Sequence, residues 1–365
     1  MSVVDLGLPT PTTTAGESPA VGAPTEGPLV DTFGRIVRDL RVSVTDRCNL
    51  RCTYCMPAAG LDWLPPSAVL DTAEFVRVLT VAVRDLGIES IRFTGGEPLL
   101  RRDLEEIVGA VAALPGRPEI AMTTNGLGLR HRIGGLVDAG LSRINVSLDT
   151  VDAARFAEVT RRDRLADVLD GLAAAAATGL RSIKVNAVVP DRADLGGLGD
   201  LLQYCLDHDY ELRVIEQMPL DADHRWARAS MVTADEILST LGARFTLRPD
   251  PRPRGAAPAA TWLVDGYGAR GGGPARVGVI ASVTRPFCAD CDRSRLTADG
   301  SLRNCLFADD EVTLMPALRG GLPDTEVDAA IAALWRGNAW QKKAGHAVGE
   351  PDFHQPDRPM SAIGG

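Results

Sequence analysis

Ser90-Ile91-Arg92-Phe93-Thr94-Gly95-Gly96-Glu97-Pro98 carries a short β-prone run straight into a polar turn. Gly-Gly followed by Pro ends the run and opens a connection to a helix. Five other stretches behave alike. Residues 41–44 lead to Thr45 and Asp46, 119–123 to Thr124 and Asn125, 143–148 to Asp149, 211–217 to Met218, and 183–189 form a sixth run rich in β-branched residues. Amphipathic stretches at about 71–86, 104–113, 133–139, 165–178 and 198–205 read as helices between them. Asp71 with Glu74, and Thr233 with Glu236, have the spacing of N-terminal capping pairs.

Strand–helix alternation of this length implies parallel pairing through right-handed crossovers, so the fold class is α/β. Six repeats point to a partial barrel, a (β/α)6 relative of the TIM barrel, with a doubly wound open sheet as the competing architecture. Polar residues gather where each strand ends, and in parallel α/β folds the carboxyl ends of the strands bind ligands.

Residues 1–31 are rich in Pro, Thr, Ala and Gly, with no Lys or Arg before Arg35. That pattern is neither a signal nor a transit peptide, and it buries too little apolar surface to offset its chain entropy, so a disordered tail is expected. The barrel is expected over 32–243. Residues 248–278 turn to Pro, Gly, Ala and Arg, which reads as a linker or long loop inside a cysteine-bearing C-terminal module, 244–365.

Composition narrows the function. No apolar run approaches the roughly 20 residues that cross a bilayer, so no membrane association is expected. The net charge of −9 argues against nucleic-acid binding, without forbidding a local basic pocket for a small anion. With no export signal, a cytoplasmic location is expected, where the seven cysteines would be thiols or metal ligands rather than disulfides.

Cys48, Cys52 and Cys55 form a C-x3-C-x2-C set directly after the first strand. Three thiolates on a tight loop can hold three irons of a [4Fe–4S] cube and leave the fourth open to a substrate or cofactor. A structural zinc site would prefer four closed ligands. Cys288, Cys291 and Cys305 form a second, C-x2-C-x13-C set, and the nearest histidines, His224 and His346, are remote in sequence. A zinc knuckle competes here, but a three-cysteine site with an open metal position is the simpler reading. Arg293 and Arg295 follow at once and would hold a polyanion beside that metal. Of 39 Lys and Arg residues only Lys184, Lys342 and Lys343 are lysines; an isolated Lys184 on a strand suggests a point charge suited to phosphate. Cys205, inside an apolar helix, reads as core packing.

The first cysteine set, with Tyr54 before its last member and Gly95-Gly96-Glu97-Pro98 one strand later, resembles the signature of radical S-adenosylmethionine enzymes. In the latter motif two glycines let a backbone approach a ligand closely, and the carboxylate beside them can accept hydrogen bonds from an ammonium group. The stretch 287–300 and the terminal Gly364-Gly365 are similar to the GTP 3′,8-cyclase family that opens molybdenum-cofactor biosynthesis. The resemblance implies a partial barrel of the radical enzyme type, closed by a C-terminal iron–sulfur module, with two [4Fe–4S] clusters and S-adenosylmethionine as cofactors. It implies a Tyr54, Gly96, Ser147 and Met218 lining for S-adenosylmethionine. GTP would be held by Arg41, Arg92, Thr123, Lys184, Arg293, Ser294 and Arg295, and the Gly364-Gly365 tail would reach the active site. The implied reaction converts GTP to (8S)-3′,8-cyclo-7,8-dihydroguanosine 5′-triphosphate, beginning with hydrogen abstraction from ribose C3′. Implied partners are a reductant such as flavodoxin or ferredoxin, a second copy in a homodimer, and cyclic pyranopterin monophosphate synthase downstream. Another radical enzyme with an auxiliary cluster, such as a peptide-modifying one, and a non-enzymatic cluster or zinc protein are the rival readings.

Overall fold

The computed structural model describes residues 22–269, 271–350 and 353–364. Six strands stand where the sequence places them: β1 (Asp39–Ser43), β2 (Ser90–Thr94), β3 (Glu119–Thr124), β4 (Arg143–Ser147), β5 (Ser182–Val189) and β6 (Glu211–Glu216). They pair in sequence order, each parallel to the next. A doubly wound sheet reverses its strand order at a switch point. None occurs between β1 and β6, so successive crossovers of one hand lay the helices on one face and the sheet winds as a barrel does.

Between the strands run α1 (Thr72–Arg84), α2 (Leu104–Ala112), α3 (Leu129–Asp138), α4 (Ala153–Thr160), α5 (Leu165–Ala176) and α6 (Leu198–Asp207). Asp71 caps α1 reciprocally with Glu74, as expected. Thr233 and Glu236 close the same box at α7 (Ala234–Gly242). The helix α3 begins four residues before its expected start, because Arg130, His131 and Arg132 hide its first turn from an apolar-period reading. One continuous core unites alternate strand residues such as Leu40, Val42, Ile91 and Phe93 with Phe75, Val78 and Leu79 of α1. The other alternate positions, Asp39, Arg41, Arg92, Thr123, Arg143, Lys184 and Arg213 among them, are left for the opposite, inner face.

The expected linker at 248–278 is instead sheet. β7 (Leu247–Pro249), β8 (Ala260–Gly268) and β9 (Pro274–Ile280) form an antiparallel meander, and β9 pairs parallel with β6. Glycines at 271–273 turn the chain between β8 and β9, while Trp262, Val264, Val277 and Val279 carry the pairing; composition alone hid this period-2 pattern. At the other edge β10 (Arg293–Leu296) pairs parallel with β1, followed by β11 (Ser301–Arg303) and β12 (Val312–Thr313). Sequence beyond residue 243 thus flanks both edges of the six-stranded core without a break in the sheet. α8 (Met315–Arg319), α9 (Asp324–Trp340) and α10 (Met360–Ile363) complete the chain.

The expected disordered tail also runs too far. Residues 1–21 lie outside the described residues, but Leu29 and Asp31 are buried. Leu29 exchanges backbone hydrogen bonds with Leu86 and Val37, and Asp31 pairs with Arg35 at 2.5 Å. One leucine in a Pro-rich run was enough to anchor it.

Candidate active site

The loop after β1 carries Cys48, Cys52 and Cys55, and it is clamped by the loop after β2. Gly96 donates its N–H to Thr45 O at 2.8 Å and Glu97 to Arg47 O at 2.7 Å. A Cβ on Gly95 would stand 2.3 Å from Thr45 O, and one on Gly96 2.3 Å from Arg47 O. The two glycines therefore exist for the approach of backbone to backbone, where a direct approach to ligand was expected. The Glu97 carboxylate, expected to receive an ammonium group, is fully used inside the protein. It accepts from Leu99 N, Thr124 Oγ1 and Asn125 N at 3.0, 2.6 and 2.7 Å. Burial lifts its pKa to about 7 against those hydrogen bonds. It is a clasp between β2 and β3.

A cavity of about 220 Å³ opens above the sheet, and Cys48, Cys52, Cys55, Tyr54, Gly96, Thr123, Ser147 and Met218 all line it. Thr123 Oγ1 and Asn186 Oδ1, both on its wall, are buried without a hydrogen-bond partner. Orphaned polar atoms of this kind signal a polar ligand. Asp149 accepts the Tyr54 hydroxyl at 2.8 Å and Val188 N at 2.9 Å, tying the cysteine loop to β5, and burial raises its pKa to about 6. Burial also pushes the Cys48 and Cys52 thiols up, and Cys55 to about 12.

The inner face below is basic by register. Arg295, Arg41 and Arg92 are successive cross-strand partners on β10, β1 and β2, and Lys184 and Arg213 stand on β5 and β6. Arg41 leans on Asp39 at 3.1 Å, while Arg92 Nε is buried and unpartnered. Burial lowers the pKa of both guanidiniums, and for Arg92 the Arg41 charge adds to it. Lys184 and Arg213 share Glu211, at 3.2 and 2.8 Å. Like charges packed into low dielectric without equal countercharge await an anion. Arg213 was not singled out in the sequence, where one arginine among many carries no signal; its register on β6 puts it on the same face as Lys184.

The second trio, Cys288, Cys291 and Cys305, lines one further cavity with Arg293, Arg295 and Met218; Met218 therefore borders both cavities. Arg293 and Arg295 lie on the inner face, but Ser294 between them does not. Its hydroxyl accepts the Trp335 indole N–H at 2.9 Å on the α9 side. Strand alternation thus turns the Ser294 side chain away from the face of Arg293 and Arg295. Gly364 O accepts a hydrogen bond from Arg295, and a Cβ on Gly364 would meet Ser43 Oγ at 2.5 Å and Thr94 Cγ2 at 2.6 Å, so the chain's end is threaded between β1 and β2. Gly365 lies outside the described residues. Met360 and Ser361 of α10 close the first cavity, a contribution that no motif announced.

Among the described residues, no three His, Cys, Asp or Glu side chains converge on a single ion position. A tetrahedral zinc would draw its thiolates to about 4 Å of one another. Each trio nonetheless shares one cavity wall, which suits ligands of a larger group such as a cube of iron and sulfide.

A cysteine trio on the first strand's loop, one ligand short of satisfying a four-iron cluster and facing a cavity at the strand ends of a singly wound barrel, defines the radical S-adenosylmethionine class. Residues 42–204 match the Radical SAM superfamily, and 210–348 match the family described as Molybdenum Cofactor Synthesis C. The chain is 59% identical over 365 residues to a GTP 3′,8-cyclase of Mycobacterium sp. (strain KMS), covering all of both chains. It is 56% identical over 370 residues to GTP 3′,8-cyclase 2 of Mycobacterium tuberculosis, again at full coverage. Among solved structures, SuiB of Streptococcus suis bound to S-adenosylmethionine matches with a TM-score of 0.53 at 13% identity, over 75% of this chain and 61% of that one, which shows the fold alone. The chain belongs to the GTP 3′,8-cyclase family. It is a radical S-adenosylmethionine enzyme, and that class carries a [4Fe–4S] cluster. No helix among the described residues is long and apolar enough to cross a membrane.

Proposed function

We propose that this chain converts GTP to (8S)-3′,8-cyclo-7,8-dihydroguanosine 5′-triphosphate, with Cys48, Cys52 and Cys55 holding one [4Fe–4S] cluster and Cys288, Cys291 and Cys305 a second. The observation that carries the reading is the basic inner face, which reaches one of two cysteine-lined cavities through Arg293 and Arg295 and the other through Thr123, the two cavities sharing Met218. When bound, the first cluster and S-adenosylmethionine supply an electron and a 5′-deoxyadenosyl radical. The chain's own residues do the rest by placement. Tyr54, Gly96, Ser147 and Met218 border the space for S-adenosylmethionine. Arg41, Arg92, Lys184, Arg213, Arg293 and Arg295 neutralise the triphosphate, and Thr123 offers an unused hydroxyl beside them. Arg295 also grips Gly364 O, keeping the chain's end at the substrate and excluding water. Functionally, residues 32–243 carry the first site and 244–365 the second. A flavodoxin or ferredoxin reductant, a homodimer and hand-over to cyclic pyranopterin monophosphate synthase rest on family membership alone.

The test is anaerobic reconstitution followed by incubation with S-adenosylmethionine, dithionite and GTP. About eight irons per chain, GTP-dependent 5′-deoxyadenosine and a cyclised nucleotide by mass spectrometry are expected. Cleavage of S-adenosylmethionine with GTP untouched would sink the substrate assignment, and four irons would sink the second cluster.

A further inference from the structure

Lys342 follows α9, outside every motif considered above, yet it is only 4% exposed. Its Nζ donates to Arg293 O at 2.7 Å and Cys291 O at 3.2 Å, and stands 3.3 Å from Cys291 Sγ. Arg295 borders the cavity of the second trio with its guanidinium on Gly364 O, while the three cations that contact the trio's own residues differ in one respect. Arg35, which donates to Cys288 O at 2.6 Å, is paired with Asp31. Arg293, 4.0 Å from Cys291 Sγ, is paired with Asp39 at 3.5 Å. Lys342 has no carboxylate in ion-pair distance among the described residues; Asp292, next to Cys291, feels its field without forming a pair.

A buried ammonium is retained where its charge is compensated. Two carbonyls satisfy its N–H groups but leave its charge unbalanced. The one atom in contact that can carry a full negative charge is Cys291 Sγ, and a cluster held there by three thiolates would carry a net negative charge as well. No sulfur of the first trio has a cation in hydrogen-bond distance among the described residues: Arg51 donates to Cys48 O at 2.8 Å, and the amide of Asn125, at 3.8 Å from Cys48 Sγ, is neutral.

We propose that Lys342 is the counter-ion of the second cysteine site. Anchored to two carbonyls of the same turn, it gives an N–H···S hydrogen bond to Cys291 and fixes that sulfur's direction. Its uncompensated charge makes the cluster there easier to reduce. Net charge and hydrogen bonds to sulfur are among the factors that set such potentials. The inference rests on the two-cluster reading above. Lys342 acts through Cys291 and is a positioning residue.

The experiment uses the full chain with Cys48→Ala, Cys52→Ala and Cys55→Ala, so that only the second site loads. Iron is counted after anaerobic reconstitution, and reduction by dithionite is titrated against mediators with electron paramagnetic resonance. Lys342→Met, Lys342→Gln and Lys342→Arg are compared with that parent. The expected result is about four irons per chain and, for Lys342→Met, a reduction equilibrium at least tenfold less favourable, 59 mV more negative for one electron. Lys342→Gln should fall between, and Lys342→Arg should stay near the parent. A Lys342→Met variant that loads fully and titrates within threefold of the parent overturns the proposal. If Lys342→Met fails to load while Lys342→Arg loads, a required positive charge at Cys291 is supported; if neither loads, the charge role is overturned. A parent without iron at the second site instead removes the two-cluster reading, and the proposal with it.

Discussion

The two cysteine sites share a cysteine count and differ in the charges that reach their sulfurs. Carboxylates stand behind the first loop: Asp149 holds Tyr54, Glu97 holds the neighbouring turn, and burial has raised both pKa values, while Arg51 donates to Cys48 O with no hydrogen bond to a sulfur. Cations stand around the second: Lys342 and Arg293 on Cys291, Arg35 on Cys288, and Arg295 at the same cavity. The Cys291 thiol is correspondingly held below its ordinary range, Lys342 and Arg293 outweighing the upward pull of burial, whereas the first trio is pushed up by burial. The cations at the second site suit a polyanion, whereas the carboxylates behind the first loop are spent on internal hydrogen bonds that fix the loop.

The largest expected effects break the pair apart. Cys52→Ala should reduce 5′-deoxyadenosine formation to background, with or without GTP. Cys305→Ala should leave reductive cleavage of S-adenosylmethionine measurable and abolish the cyclised nucleotide. Equal loss of both products in the two variants would show that the sites are not separable in function. Next come the glycines that let backbones meet. Gly96→Ala places a methyl group against Arg47 O and should shift the first cysteine loop, lowering 5′-deoxyadenosine formation by more than about 100-fold, a cost of some 3 kcal/mol in the barrier. Gly364→Ala meets Ser43 and Thr94 instead. It should leave iron content and cofactor cleavage near normal while cyclisation falls at least tenfold. A Gly364→Ala enzyme with full cyclisation would remove the chain's end from the site.

How far these differences were visible beforehand follows the physics of each signal. The six parallel strands were legible because short β-branched runs punctuated by glycine and polar turns alternate with amphipathic stretches. The six cysteines that line the two cavities were legible because they recur at short offsets of a kind that metal ligands use. The β8–β9 hairpin was hidden by the Pro, Gly and Arg around it, since composition outvoted the alternation of Val264, Val277 and Val279. The direction of the Ser294 side chain was hidden by reading a motif as a unit; a strand sends neighbours to opposite faces, and its hydroxyl accepts the Trp335 indole N–H. Glu97 was read by its proximity to glycines, whereas its three hydrogen-bond donors come from residues 99, 124 and 125. Lys342 had no motif at all, because its meaning is a contact across 51 residues of chain.

The smallest predicted effect sharpens the anionic side of the comparison. Lys184 is held down to about 8, first by burial and then by the nearby Arg213 charge, against the opposing pull of Glu211. Its charge is therefore lost as pH rises through about 8 in the free protein, where an ordinary lysine would keep it to 10.5. A triphosphate binds the charged form more tightly and lifts that pKa, so affinity is full below pH 8 and declines above it, by at most about tenfold per pH unit for a single group. GTP binding by the cluster-loaded enzyme, measured by equilibrium dialysis between pH 7 and 9.5, should weaken several-fold more than binding by Lys184→Arg, whose guanidinium stays charged. The protons of GTP itself titrate alike in both measurements and cancel. Parallel pH profiles for the two proteins would place Lys184 outside the anion-binding set and leave Arg41, Arg92, Arg213, Arg293 and Arg295 to hold the triphosphate.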